Sequence, residues 1–242
     1  MPPTPRVSGV SGSGRAARTA FPAASRSKDS FAIAVTRPGR SGHGITAALL
    51  TATTIKPSPE WMQRRLKLIG QRPIRKIVDV TNYVMFEVGQ PLHAFDYDKL
   101  VARAEGKTPT IITRTPTPGE TLLTLDGQNR SLGEEHILVC DSAGVIGLGG
   151  IMGGGDTEIS DTTTSVLLEA ANWNFINIRK TMQAQKIHTE AGTRFSRGVH
   201  PAQALVGVKR GIELMRQLGG GTVAQGILDE YPLPAPEIRV EL

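Results

Sequence analysis

The stretch RPIRKIVDVTNYVMFEVGQPLHAFD, from Arg72 to Asp96, carries the densest information about the fold of this 242-residue chain. Its middle, residues 75–88, is largely apolar and predicts a buried helix or a passage from strand to helix. Gly89 and Pro91 end that segment, because glycine commonly follows a helix and proline cannot continue one. The sequence Gln90-Pro91-Leu92-His93 then predicts a fixed corner.

The flanking sequence predicts a mixture of helices and strands. Ser58-Pro59-Glu60 is typical of a helix start, where the serine can accept an orphan N–H, and Gly70 is typical of a helix end. Asp126-Gly127 indicates a β-hairpin. Strands are also predicted at Ile45–Ile55, Thr110–Thr113, Leu122–Leu125, Ser131–Leu132, Ile137–Cys140, Val145–Met152, Val166–Ala170 and Val223–Leu228, and helices at Asn174–Ile187 and Pro201–Leu218. Because strands outnumber helices and do not alternate with them strictly, the pattern indicates the α+β class.

The positive charge of the chain is concentrated in its first residues. Residues 1–42 hold seven Lys and Arg against one acid, Asp29, and their Ser, Gly, Pro and Ala content predicts a disordered basic tail. In composition this segment also resembles a transit peptide. The other 200 residues hold 21 basic and 21 acidic side chains, so their net charge is zero. Any contact of this body with RNA must therefore use a local patch.

Length and composition limit the class of protein. A chain of 242 residues that is 39% hydrophobic and 21% charged fits a globular protein with one sizeable core or two small ones. No window approaches eighteen unbroken apolar residues, so no membrane span is predicted. The single cysteine, Cys140, cannot form a disulfide within the chain and favours a reducing compartment. Without an HExxH or CxxC pattern, no metal site is expected.

Polar residues of the opening stretch are candidates for chemistry. His93 follows a proline among apolar neighbours, where an imidazole can position water or a sugar hydroxyl or act as a base. The alternative is a core histidine bonded to the backbone. Asp79, Thr81 and Asn82 form a polar island in an apolar run. Asp79 or Thr81 can cap a helix, whereas the Asn82 amide offers a ligand both a donor and an acceptor.

Two later segments have unusual compositions. Residues 147–155 contain six glycines. They match neither the dinucleotide fingerprint nor a P-loop, but they allow close approach of backbone N–H groups to a ligand, or form a bulged strand and loop. Glu169 lies in an apolar run, where a carboxylate needs a partner. It either faces water at a sheet edge or accepts a hydrogen bond from a group in a pocket.

A basic segment follows at residues 188–198. It contains Arg194 and Arg197 beside small residues. Such a run can contact phosphate. The alternative is a helix cap with a solvated face.

Five segments taken together indicate a protein family more specifically than any one of them alone. They are RPIRKIVDVTNYVMFEVGQPLHAFD, LDGQNRSL, GLGGIMGG, VLLEAANW and HTEAGTRFSRGVHP. In this order they resemble the central B3/B4 domain of the bacterial phenylalanyl-tRNA synthetase β subunit, its tRNA-binding and editing domain. The resemblance covers residues 43–231, with residues 232–242 as a linker toward a next domain. It implies an α+β fold with a mixed or antiparallel, sandwich-like β core and flanking helices.

The resemblance also implies an activity and a site. The activity is hydrolysis of tyrosine wrongly attached to the phenylalanine tRNA, by a positioned water without metal or other cofactor. Glu169 matches the residue that recognises the tyrosine hydroxyl. His93 matches the histidine near the ester, where Asn82 and Thr81 help to position the terminal ribose and the water. The remaining matches are Gly149, Gly150 and Gly153, which shape the pocket, Ala191, which controls access, Arg72 near the site, and Arg194 and Arg197 for RNA.

The partners implied by the resemblance are tRNA(Phe) and the α subunit. ATP and magnesium are required only by the full synthetase, and the expected location is the cytoplasm. Residues 1–42 do not match the N-terminal domain of the family, and the sequence ends at Leu242, where a next domain would begin. Two alternatives therefore stay open, a non-catalytic tRNA- or protein-binding module and an inactive gene fragment.

Overall fold

The computed structural model describes residues 18–19, 34–36 and 42–230, with side chains from residue 44 onward. Its helices are α1 (Glu60–Leu68), α2 (Lys76–Val88), α3 (Tyr97–Arg103), α4 (Phe175–Gln185), α5 (Glu190–Phe195) and α6 (Gln203–Gly219). Its strands are β1 (Arg18–Thr19), β2 (Ala34–Thr36), β3 (Gly42–Thr51), β4 (Leu92–Asp96), β5 (Thr110–Arg114), β6 (Thr121–Leu123), β7 (Asn129–Ser131), β8 (Leu138–Cys140), β9 (Val145–Leu148), β10 (Met152–Gly153), β11 (Val166–Trp173), β12 (Thr222–Val223) and β13 (Leu228–Glu230). No helix in this described part is long and apolar enough to cross a membrane.

The strands form two main sheets and a separate β6–β7 hairpin. The first sheet has the order β1-β2-β5-β8-β9-β10 and is antiparallel except for the parallel pair of β2 and β5. The second has the order β12-β3-β11-β4, with β13 also paired to β3, and all of its pairs are antiparallel. The predicted α+β class with a mixed or antiparallel β core is confirmed.

Strand β11 separates two hydrophobic cores. Alternate side chains of a strand point to opposite faces, so Leu167 and Ala171 pack with the first sheet, whereas Leu168 and Ala170 pack against α2 and α6. Because both faces are covered, every residue of β11 is buried, which explains its continuous apolar run. The second sheet is the middle layer between the first sheet and the helices, which makes the β core sandwich-like.

The opening stretch forms α2 and β4. Gly89 ends α2 with a φ of 80°, in the left-handed region that glycine adopts without strain. Asp79 organises the start of α2, because its carboxylate accepts the Ile74 N–H at 2.7 Å and the Ser58 hydroxyl at 2.5 Å. The bond from Ile74 is not the predicted helix cap, because Ile74 lies before α2 and the N-cap residue of this helix, Arg75, makes no side-chain cap bond. Ser58 makes no capping bond to α1 and instead links that helix start to α2.

Several predicted boundaries differ from the structure. The predicted corner extends only to Pro91, because Leu92 begins β4, which pairs with β11. The predicted strand Val145–Met152 is divided into β9 and β10, and the predicted strand Val223–Leu228 into β12 and β13. Helix α3 was not predicted, because it is too short to show an apolar period. For α5, one of the two alternatives for residues 188–198 was a helix cap, which the structure places at Thr189.

The predictions for the two termini are mostly untested. Within the predicted disordered tail, residues 1–42, the structure describes paired strands β1 and β2 and the first residue of β3, so disorder does not hold there. The rest of that tail, and the predicted linker at residues 232–242, lie outside the described residues. Both stay predictions at those positions.

Candidate functional site

A cavity of about 250 Å³ lies between the two sheets. Residues of α2, β4, β11, α5 and the β9–β10 hairpin form its wall. Ligand pockets for drug-sized molecules have volumes of about 300–1,000 Å³. This cavity is slightly smaller, which suits a group the size of one amino-acid side chain.

His93 and Glu169 face each other across the β4–β11 pair. They are directly opposite in the antiparallel register, so their side chains project to the same face, and both line the cavity. Glu169 is only 5% exposed, and its strand lies between β3 and β4. The sheet-edge alternative for Glu169 is therefore wrong.

The His93 ring is held between Phe95 and Gly153. The rings of His93 and Phe95 meet edge to face with centroids 4.4 Å apart. A Cβ added to Gly153 would lie 2.5 Å from His93 Cε1, so only glycine leaves room for the ring. Burial lowers the pKa of His93 to about 4, because the charged imidazolium would lose hydration. The ring is neutral at pH 7, and one nitrogen has a lone pair that can accept a hydrogen bond.

This burial predicts a pH-dependent stability. The pKa of His93 falls from 6.5 to about 4 on folding, so the unfolded chain binds more protons between these pH values. We expect the free energy of unfolding to fall as pH is lowered through this window, by up to about 1.4 kcal/mol per pH unit. Urea unfolding of wild type and His93→Gln at several pH values measures the His93 contribution as a difference. This comparison is needed because burial also lowers the pKa of His136. Equal pH slopes for the two proteins would contradict the prediction.

The glycine-rich run forms β9, a tight turn and β10. The Gly149 N–H donates to the Ile137 carbonyl at 2.8 Å, so this donor is used within the fold. A Cβ on Gly149 would lie 3.0 Å from the Trp173 ring. At Gly150 the φ of 70° and a 2.5 Å approach to Trp173 both require glycine. Of the two alternatives for residues 147–155, the structure has the strand and loop. The small residues of this run also place its backbone in the cavity wall.

Helix α2 brings two of the predicted residues to the cavity. Thr81 and Asn82 both line it, beside Val78. The Thr81 hydroxyl donates to the Val78 carbonyl at 2.7 Å, which leaves its oxygen lone pairs as acceptors. The Asn82 side chain makes no hydrogen bond within the described part of the chain, so its amide can bind a ligand.

Helix α5 closes another side of the cavity. Ala191 lines it from the first turn of this helix. Thr189 caps the helix by accepting the Gly192 N–H at 3.0 Å. Its hydroxyl also donates to the Ile151 carbonyl at 3.1 Å, which connects α5 to the turn between β9 and β10, here called the glycine turn. Thr189 also lines the cavity but was not predicted. Its position before Glu190, in the order typical of a helix start, was the available signal.

Three predicted arginines lie outside the cavity wall. Arg72 is exposed in the loop between α1 and α2, and Arg197 is exposed after α5. Arg194 bonds Glu190 at 2.6 Å and stacks 4.5 Å from the Phe86 ring. Arg194 therefore links α5 to α2, whereas Arg72 and Arg197 are available to solvent.

Other reactive groups are not assembled in the described residues. Burial raises the pKa of the Cys140 thiol to about 11, so this side chain is an inert part of the core. No group of three or more His, Cys, Asp and Glu side chains in residues 44–230 is arranged to hold a metal ion.

The fold and the cavity define an α+β domain with an opposed His–Glu pair between two sheets. The B3/4 domain model matches residues 43–220, and the chain belongs to this family. The resemblance to the B3/B4 domain, inferred from the five sequence segments, is confirmed.

The relatives carry one shared name. The chain is 46% identical over 189 residues to the phenylalanine–tRNA ligase beta subunit of Geobacter sulfurreducens, covering 78% of this chain and 23% of that protein. It is 40% identical over 203 residues to the beta subunit of Synechococcus sp., covering 84% and 25%. It thus spans about a quarter of the length of the curated relatives it matches. A solved N-terminal fragment of the phenylalanyl-tRNA synthetase beta-subunit from Pyrococcus horikoshii matches with a TM-score of 0.44 and 12% identity, over 76% of this chain and 49% of that chain.

Proposed function

We propose that this chain hydrolyses tyrosine wrongly esterified to tRNA(Phe), as an editing module of phenylalanyl-tRNA synthetase. The observation that carries the proposal is the opposed pair of Glu169 and His93 in a cavity of amino-acid size. The membership of the B3/4 family and the shared name of the relatives, phenylalanine–tRNA ligase beta subunit, support a substrate attached to tRNA(Phe).

Glu169 distinguishes tyrosine from phenylalanine in this proposal. The tyrosine ring packs against the apolar cavity wall near Phe95 and Ala171, and its hydroxyl donates to the buried carboxylate. Phenylalanine lacks that donor. A site built to hydrogen-bond a substrate hydroxyl rejects the analogue without it far better than an apolar pocket rejects an added hydroxyl.

His93 positions the attacking water. Its neutral imidazole accepts a hydrogen bond from the water, while Asn82 and Thr81 orient the terminal ribose. The water oxygen bonds to the ester carbonyl carbon, the bond from that carbon to the ribose oxygen breaks, and one proton of the water passes to the ribose oxygen. The products are tyrosine and uncharged tRNA. Because the pKa of His93 is about 4, the imidazole is a weak base, and placing the water is its main contribution.

This hydrolysis needs no cofactor. Ala191 and the glycine turn limit the size of the group that enters the cavity. We place the reaction in the cytoplasm, with tRNA(Phe) as substrate carrier. The α subunit is the partner in the complete synthetase, where ATP and magnesium are used for aminoacylation.

Deacylation of purified tyrosyl-tRNA(Phe) tests the proposal, with phenylalanyl-tRNA(Phe) measured in parallel. Wild type should hydrolyse the tyrosyl ester selectively. His93→Ala should lose about 100-fold in rate, the scale of a misplaced reacting group. His200→Ala, which changes an exposed histidine, is the matched control and should retain activity.

A non-catalytic binding module is the second candidate. It is favoured by the basic charge of residues 1–42, which attracts RNA without regard to sequence. A chain that unfolds cooperatively and binds tRNA but hydrolyses neither ester would support this candidate. The same result would reject the proposed hydrolysis, and a chain without a cooperative transition would favour the inactive fragment.

A further inference from the structure

The neutral body of the chain contains a concentrated positive segment. Residues 56–76 hold seven Lys and Arg side chains and one acid, Glu60. The other residues from 43 to 242 hold 14 basic and 20 acidic side chains. Helix α1 and its flanks therefore form a positive region on an otherwise negative body, which is the distribution expected of a local site for a polyanion.

Most of these bases are available to a partner. Arg75 pairs with Asp161 at 2.8 Å, and the Lys76 ammonium donates to the Leu218 carbonyl at 2.5 Å. The other five are exposed, and they are Lys56, Arg64, Arg65, Lys67 and Arg72.

An aromatic pair lies among the exposed bases. Trp61 is 42% exposed and meets Tyr83 edge to face with centroids 5.4 Å apart. The Arg65 guanidinium lies 5.4 Å from the Trp61 ring centroid and donates to the Tyr83 hydroxyl at 2.6 Å. The indole is thus held in place while a large part of it faces solvent. A fixed ring loses little conformational entropy when another ring stacks on it.

This combination favours RNA over a protein partner. Single-stranded RNA is bound by basic side chains that contact phosphates and by aromatic rings on which nucleobases stack. An acidic protein would use the charges but would not require an immobilised ring among them. The surface is connected to α2 through the bond from Arg65 to Tyr83, and Asn82 of the same helix lines the cavity wall.

We propose that this surface, the α1 patch, binds a single-stranded segment of RNA, with phosphates on the exposed bases and a nucleobase on Trp61. The α1 patch consists of Lys56, Trp61, Arg64, Arg65, Lys67 and Arg72. The proposal rests on the proposed function for the nature of that RNA, but binding at the patch does not require hydrolysis.

Fluorescence anisotropy with labelled, uncharged tRNA(Phe) and the full chain tests the α1 patch. The double variant Arg64→Glu/Lys67→Glu is compared with Lys107→Glu/Lys209→Glu, which makes the same charge change at two exposed lysines outside the patch. Residues 1–42 are present in both proteins, so their attraction to RNA cancels. The patch variant should bind at least about tenfold more weakly. Its plot of log affinity against log salt should be shallower by about 1.4 units, because each of the two lost phosphate contacts to a single strand contributes about 0.7. The control should stay within about twofold of wild type.

Trp61→Leu tests stacking separately from charge. It should weaken binding about fivefold or more while leaving the salt dependence unchanged, because stacking on an aromatic side chain does not release counterions. Thermal unfolding of each variant checks that the fold is retained.

Two results would overturn the proposal. One is equal affinity and equal salt dependence for the patch and control variants, which would leave the patch as a protein contact surface. The other is an absence of measurable tRNA binding by wild type. Failure of the proposed hydrolysis is distinguishable, because His93→Ala should retain RNA affinity and lose deacylation, whereas the patch variants should lose affinity and retain the rate at saturating RNA.

Discussion

Replacing Glu169 with glutamine is expected to reduce the preference for the tyrosyl over the phenylalanyl ester by about 10- to 150-fold. The Glu169 carboxylate is 5% exposed and lines the cavity from a central strand. A hydrogen bond to a charged group contributes about 1.5–3 kcal/mol, and about 1.4 kcal/mol corresponds to a factor of ten. Glutamine keeps the shape of the side chain but removes the charge, so the phenylalanyl ester should be affected much less.

The ratio of kcat/KM for the two esters measures this effect. Glu158→Gln changes an exposed carboxylate in the same way and should leave the ratio unchanged. Thermal unfolding shows whether the Glu169 variant is folded. A folded Glu169→Gln protein that keeps the wild-type ratio would show that this carboxylate does not read the tyrosine hydroxyl.

Replacing Gly153 with alanine is expected to slow hydrolysis about 100-fold and to destabilise the fold by about 1–3 kcal/mol. The added Cβ would lie 2.5 Å from His93 Cε1 and 3.0 Å from Nε2, so the imidazole has to move. A displacement of about 1 Å at a reacting group is enough for a rate loss of this size.

The chain offers a matched control for this substitution. Gly147 is paired with Gly153 in the β9–β10 hairpin, but a Cβ there would meet no described atom closer than 3.6 Å. Gly147→Ala should therefore cost much less stability and leave the His93 ring in place. Urea unfolding and the NMR signals of the His93 ring measure both effects. Similar ring shifts and stability losses in the two variants would contradict the proposed packing of His93 on Gly153.

Local sequence signals predicted the helices and strands that end at a glycine or proline or contain a long apolar run. Helix α2 was predicted because Gly89 provides its end, and β11 because its buried run is continuous. β4 was missed, because its backbone becomes a strand only by pairing with β11. A strand and loop was one of two alternatives for residues 147–155, but the sequence did not place the turn at Gly149–Ile151, which separates β9 from β10. Its glycines are explained by Trp173, a residue on a different strand.

The sequence by itself determined the α+β class, the elements with local signals and, through resemblance, the set of residues to consider. These depend on caps, turns and apolar patterns that lie within short segments. Only the tertiary structure decided that Glu169 faces His93, because strand register is a contact between distant segments. It also decided that Arg72 lies in an exposed patch rather than in the cavity wall, since exposure depends on which surfaces other elements cover.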